Sequence, residues 1–229
     1  MNKPRILFWD LETAGVNALR SDLGFVIVFG YKWSDEKRAR SITIDQSSLR
    51  KFSDHKLLQE TSKLLNEADL TVAHFGSVFD RRFFQGRLLI NKLPPIPPTK
   101  MRDTCFISRS VANYSSNRLK HLAKILDLRH QKLENNWPTA WFKVMQGDMK
   151  ALAGLAHYCE GDVLALEELY HRLLPFDNAH PRIHMDIETC GHCGGEVQKR
   201  GFSYVNNNRY QRVQCVKCGK WSRGRNAVK

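Results

Sequence analysis

The spacing of apolar positions along the chain resolves into strand-like and helix-like segments. Ile6–Asp10 is a short apolar run closed by an acid, Leu23–Trp33 is rich in β-branched and aromatic residues, and Arg38–Ile44 alternates more weakly. β-Branched and aromatic residues dominate all three, which read as consecutive antiparallel strands. Ser53–Glu67 then carries Leu57, Leu58, Leu64 and Leu65 at helical spacing, with Ala68 just beyond and Ser53 as the expected cap. Leu70–His74 reads as another strand, followed by a turn at Gly76 and a helix from Phe79 to Leu89. Pro94–Pro98 forms a stiff connector ahead of a strand at Lys100–Asp103, and strand, helix, strand in that order predicts a parallel part of the sheet. Asn117–Leu126 is amphipathic. A long helix from Met149 to Leu174 keeps Leu152, Leu155, Cys159, Val163, Leu166 and Leu169 near one face and stops at Pro175.

The helical pattern breaks between Phe176 and Asp186, where Asn178 and Pro181 follow Pro175, so two domains are expected, 1–176 and 186–229. The second has few large apolar residues. Instead it carries Cys190-Gly-His-Cys193 and Cys215-Val-Lys-Cys218, each followed by a glycine suited to a tight turn around a metal. A tail this short cannot easily build a core, whereas structural zinc supplies about 10–16 kcal/mol of apparent binding free energy. The four thiols therefore predict one structural Zn²⁺ in a zinc ribbon of two or three short strands, with Phe202–Val205 and Tyr210–Gln214 as candidates. His192 is redundant beside them.

Charge adds a partner class. The chain of 229 residues has net charge +13, and residues 181–229 hold ten Lys/Arg against three Asp/Glu. That balance favours a polyanion. In the tail, Phe202, Tyr204, Tyr210 and Trp221 interleave with Lys199, Arg200, Arg209, Arg212, Lys217, Lys220, Arg223 and Arg225, a mixture suited to a nucleic-acid surface, with a protein partner as the competing use. The longest apolar run, Leu23–Phe29, is too short to span a bilayer, so no membrane partner is expected. Paired thiols and the lack of an export signal predict a cytoplasmic location.

Within the first domain the acids are the candidate chemistry. Asp10 and Glu12 stand two apart on an otherwise apolar strand, so the pleat points both carboxylates to one face. Two carboxylates about 4 Å apart repel by roughly 4 kcal/mol at an effective dielectric of 20, which a cation relieves. Asp80 stands at the start of a helix. Tyr158 precedes Asp162 by four residues, about 40° away around the helix, whereas His157 stands about 140° from it. Arg81, Arg82 and Arg87 are available to substrate phosphates, or simply form a solvated helix face.

Taken together, Asp10-Leu-Glu12-Thr, Phe79-Asp80 behind a strand and Gly76, and Tyr158-Cys-Glu-Gly-Asp162 resemble the DEDD (DnaQ-like) exonucleases of the ribonuclease H-like superfamily, specifically the tyrosine-bearing branch. The resemblance spans about residues 5–175. It implies an α/β fold with a mixed five-stranded sheet flanked by helices. It implies a 3′–5′ exonuclease acting on single-stranded DNA or RNA 3′ ends, with DNA favoured. Asp10, Glu12, Asp80 and Asp162 would hold two Mg²⁺ or Mn²⁺ ions, Asp10 bridging both, and Tyr158 would orient the attacking water. His157 has the spacing used by the histidine-bearing branch, although Tyr158 is favoured. His74 stands where many relatives have Asn. The alternatives are a catalytically decayed nucleic-acid-binding module and a ribonuclease H-like endonuclease or recombination enzyme.

Overall fold

The computed structural model describes residues 3–131, 137–184 and 188–228. The chain divides into two compact units, Arg5–Tyr170 and His171–Lys229 with Met1–Pro4. Asp186, the expected start of the second domain, lies outside the described residues.

In the larger unit, β1 (Ile6–Gly15), β2 (Gly24–Trp33), β3 (Arg40–Thr43), β4 (Leu70–Ala73) and β5 (Lys100–Asp103) form one sheet in the order β3-β2-β1-β4-β5. The first three strands pair antiparallel, while β4 joins β1 and β5 joins β4 in parallel. The mixed five-stranded sheet expected from the sequence is thus present. Period-2 alternation sorts β1 into two sides. Trp9 stacks on Phe29 of β2 with ring centroids 5.5 Å apart and meets Phe84 of α3 (Asp80–Ile90) edge-on at 6.3 Å. On the opposite side, Phe8 meets Tyr170 of α7 (Met149–Leu173) edge-on at 5.4 Å. Asp10 and Glu12 continue the Phe8 side, toward α7. Trp9, Phe29 and Phe84 are buried, and each such side chain contributes about 1.5–3 kcal/mol of burial free energy.

Several elements differ from the sequence expectation. β1 runs on to Gly15 instead of ending at Asp10, because its ladder with β2 persists through Gly15↔Gly24 despite a bulge at Glu12/Thr13. α2 (His55–Glu67) has Asp54 rather than Ser53 at its N-cap, and Asp54 makes no capping bond. Its carboxylate instead accepts from Arg87 Nε and Nη2, both at 2.9 Å, and from the backbone N–H of Val26 at 2.9 Å. Arg87 is therefore buried in an ion pair rather than part of a solvated helix face. α5 (Leu119–Ile125) starts two residues later than expected, since Asn117 Oδ1 accepts from Ser108 Oγ–H and its carbonyl oxygen bonds His74. α1 (Gln46–Arg50), α4 (Thr104–Val111) and α6 (Trp137–Met145) were not expected.

The smaller unit holds an antiparallel sheet of β6 (Val197–Val205), β7 (Asn208–Cys215) and β8 (Trp221–Ala227), longer strands than the two segments the sequence suggested. Among the described residues, no helix is long and apolar enough to cross a membrane.

Candidate metal-binding cleft and cysteine centre

Three elements deliver acids to one place. Asp10 pairs with Gly30 across β1 and β2, and a Cβ at Gly30 would stand only 2.6 Å from Cys159 Sγ of α7. The missing side chain lets α7 approach β1 beside the acids. Cys159 Sγ reaches the Asp10 backbone oxygen at 3.6 Å and its Oδ2 at 3.7 Å. One ligand atom each of Asp10, Glu12 and Cys159 fall within 4.8 Å of one another. Burial, then the charges of Asp10, Glu12 and Asp162, pushes the Cys159 thiol well above its usual pKa. Nothing in the sequence marked Cys159 beyond its place on an apolar helix face.

Asp80 opens α3 and its Oδ1 accepts a 3.2 Å hydrogen bond from the backbone N–H of Leu11, between the two acids of β1. Burial first, and the Asp10 charge second, raise the Asp80 pKa well above the ordinary carboxylate value. Asp10, Glu12, Tyr158 and Asp162 line one open cleft of about 750 Å³, a size that accommodates a small-molecule group. Glu12, Asp80, Tyr158 and Asp162 are all buried, whereas His157 is exposed. Of the two candidate helix residues, only Tyr158 is in the cleft wall.

The donor set fits hard divalent cations. Carboxylate oxygens gathered in a buried position raise one another's proton affinity, and Mg²⁺ or Mn²⁺ is the type of ion that oxygen ligands favour. The cleft also carries Arg109, Arg118 and Lys120. His74 is tied on both sides, Nδ1 to Thr104 Oγ1 and Nε2 to the Asn117 carbonyl oxygen, each at 2.9 Å. It joins the end of β4 to the segment ahead of α5. Asp103 is a second tie that sequence reasoning missed. An acid closing a strand immediately before Thr104 is an N-cap signal, and Asp103 does cap α4.

In the smaller unit, Cys190, Cys193, Cys215 and Cys218 bring their sulfurs within 4.8 Å of one another. Cys190 and Cys218 are 3.9 Å apart and Cys193 and Cys215 are 3.5 Å apart. A tetrahedron with Zn–S bonds of about 2.3 Å has S···S edges of about 3.8 Å, so the cluster is compatible with zinc. Gly194 and Gly219 follow the second cysteine of each pair at φ +69° and +75°, a region that favours glycine. Their N–H groups close matching turns onto the carbonyl oxygens of Cys190 and Cys215 at 2.8 and 3.0 Å. Cys190 is pulled down to about 4 chiefly by hydrogen bonding from Cys193, which is itself pushed far up, and burial raises Cys218 to about 11. His192 does not join the cluster; its Nδ1 lies 3.3 Å from His180 Nδ1.

The sequence model of the family described as RNase_H superfamily matches residues 7–174. A family B DNA polymerase from the hyperthermophilic archaeon Pyrobaculum calidifontis has a similar fold, with a TM-score of 0.59 and 16% sequence identity over 76% of this chain. The matched region is 25% of the polymerase, so the chain corresponds to about a quarter of that protein's length. No curated protein matches the sequence significantly.

Proposed function

This chain belongs to the RNase H superfamily, and on that premise we propose that it is a 3′–5′ exonuclease hydrolysing phosphodiester bonds from single-stranded nucleic-acid ends, with DNA preferred to RNA. The observation that carries the proposal is the gathering of Asp10, Glu12, Tyr158 and Asp162 in one cleft, with Asp80 bonded between the two acids of β1. In this reading Asp10, Glu12, Asp80 and Asp162 hold two Mg²⁺ or Mn²⁺ ions. When bound, such a pair supplies an activated water, neutralises phosphate charge and stabilises the leaving oxygen. Tyr158 contributes its phenol as a hydrogen-bonding group that orients the water, and its burial fixes that group in the cleft wall.

The chemistry is assigned to residues 1–176 and substrate grip to 186–229, where Cys190, Cys193, Cys215 and Cys218 hold one structural Zn²⁺. Support for the grip comes from Arg–aromatic pairs on the small sheet. Arg212 stands 5.0 Å over the Trp221 ring, Arg223 4.2 Å over Tyr210 and Arg209 4.7 Å over Phe202.

The test is digestion of 5′-labelled single strands of DNA and of RNA, with free or blocked 3′ ends, in Mg²⁺ or Mn²⁺. Wild type should produce a ladder that the 3′ block abolishes, and Asp10→Ala should produce none. A ladder indifferent to the block would make the protein an endonuclease. Wild-type binding without cleavage would make it a binding module. Chelation alone does not discriminate, because it also removes zinc from the cysteine cluster.

A further inference from the structure

The run Lys92-Leu-Pro-Pro-Ile-Pro-Pro98 joins α3 to β5, and none of its residues is in the wall of the acidic cleft. α3 ends in a double turn. The N–H of Lys92 donates to the Leu89 carbonyl oxygen at 3.2 Å and that of Leu93 to the Leu88 carbonyl oxygen at 2.9 Å, with Lys92 at φ +55°. The chain therefore leaves the helix in a fixed direction. Pro94, Pro95, Pro97 and Pro98 have φ locked at about −65°, and each residue ahead of a proline is confined to extended backbone. Together these limits hold the segment to a polyproline II path that needs no internal hydrogen bonds. Exposure follows the turn of that helix, about three residues long. Ile96 is 9% exposed and belongs to the hydrophobic core, and Leu93 and Thr99, on the same edge, are half-buried. Ile96 and Thr99 share a small cavity with Trp9 and Leu65. Lys92, Pro95 and Pro98 make up another edge, and all three are exposed. One edge is pinned to the body while another is presented ready-made.

We propose that Lys92–Pro98 is a docking ligand for a partner protein that carries an aromatic-lined groove with an acidic patch at one end, a groove of the SH3 type. Such a groove seats prolines three residues apart on one edge of a polyproline II helix, and a segment already held in that conformation loses little entropy on binding. Pro95 and Pro98 have this spacing. Lys92 stands three residues ahead of Pro95 on the same edge and supplies the cation that complements the acidic patch. Ile96 points the opposite way, into the body, so seating the exposed edge disturbs no core contact. A protein partner suits the segment better than a nucleic acid does, because four prolines have no N–H to offer a phosphate. The site stands apart from the nuclease reading of the cleft, and a partner docked on it leaves the acids uncovered.

The test uses the full-length protein and, as probe, a purified, isotope-labelled SH3 domain of the class that takes a basic residue three positions ahead of Pro-x-x-Pro. Adding wild-type protein should shift the amide signals of the SH3 groove saturably at micromolar concentrations, and a proline-rich peptide of the same class should reverse the shifts by competition. Pro95→Ala combined with Pro98→Ala should weaken binding at least about tenfold. Lys92→Glu should weaken it and remove most of its salt dependence, whereas Lys100→Glu, on a different edge, should change affinity less than about threefold. All four positions are exposed, so the variants should keep the circular dichroism of wild type, which separates lost docking from lost folding. Absence of groove shifts with the wild-type protein would overturn the proposal. So would shifts that survive the double proline substitution or the competing peptide. A loss with Lys100→Glu but not with Lys92→Glu would overturn the assignment to the edge of Lys92, Pro95 and Pro98. Variants that lower single-strand binding and leave the SH3 signals as in wild type would give the segment to nucleic acid and remove the docking ligand.

Discussion

The Asp80 carboxylate is hydrogen-bonded at 3.2 Å to the backbone N–H of Leu11, the residue that separates Asp10 from Glu12. A helix start and a strand interior are thereby fixed to each other, and three acids are held together whether or not a cation is present. The arrangement opposes stability. Because burial and Asp10 raise the Asp80 pKa, the folded chain holds this proton more tightly than the unfolded chain does. The penalty is absent below the unfolded carboxylate pKa near 4 and grows as pH rises toward the elevated folded value. In Mg²⁺-free buffer with zinc retained, Asp80→Asn should therefore raise stability at pH 7. The expected gain is on the order of 1 kcal/mol, about 2–4 °C in Tm for a protein of this size. The gain should shrink toward pH 4 and reverse when Mg²⁺ is added. A lower Tm in the Mg²⁺-free protein at pH 7 would mean that Asp80 serves mainly as a helix-start acid.

Tyr158 and His157 are neighbours in sequence but their side chains have different surroundings, one buried in the cleft wall and the other exposed. Tyr158→Phe keeps the ring and removes the hydrogen-bonding oxygen, so it should reduce kcat by roughly 100-fold with little change in KM. His157→Ala should leave both constants within about twofold of wild type. The reverse pattern in single-turnover assays would shift the water-orienting role to the histidine.

The sheet, its mixed pairing and the face shared by Asp10 and Glu12 were legible because period-2 alternation is a local property of the chain. The cysteine centre was legible for a similar reason, since each Cys-x-x-Cys-Gly unit closes its own turn. Contacts that depend on remote approach were not. Gly30 has no local signature, yet its missing side chain admits Cys159 beside Asp10. Asp54 looked like part of a helix start and Arg87 like a surface cation, because their partnership spans 33 residues. Asp103 likewise gathers donors from a loop 26–28 residues earlier, and the position of Phe75 follows from that capture.

The Asp54–Arg87 pair makes a stability prediction of its own. Its side chains are 0% and 10% exposed, and Arg87 also donates to the Ser21 carbonyl oxygen at 2.9 Å. Arg87→Ala strands a buried carboxylate and should cost about 3–5 kcal/mol in urea unfolding. The salt dependence of nucleic-acid binding by the folded fraction should not change. A loss below about 1 kcal/mol together with a flatter salt dependence would return Arg87 to the phosphate-binding role.

On the small sheet, Arg212 of β7 faces Arg223 of β8, and each lies over an aromatic ring, Trp221 and Tyr210 respectively. Two like charges opposite one another destabilise a strand pair, so their retention beside π faces suits a phosphate-bearing partner. If both arginines meet phosphates of a single strand, Arg212→Gln with Arg223→Gln should reduce the slope of log K against log salt by about 1.4, close to 0.7 per contact. Trp221→Ala should instead weaken binding by about 1–3 kcal/mol and leave that slope nearly unchanged, because stacking releases no counterions. Fluorescence anisotropy titrations at several salt concentrations separate the two effects, provided that each variant has the same metal content as wild type. If slope and affinity both match wild type in all variants, the arginine–aromatic surface engages a protein instead, and substrate capture falls to the cationic residues of the acidic cleft.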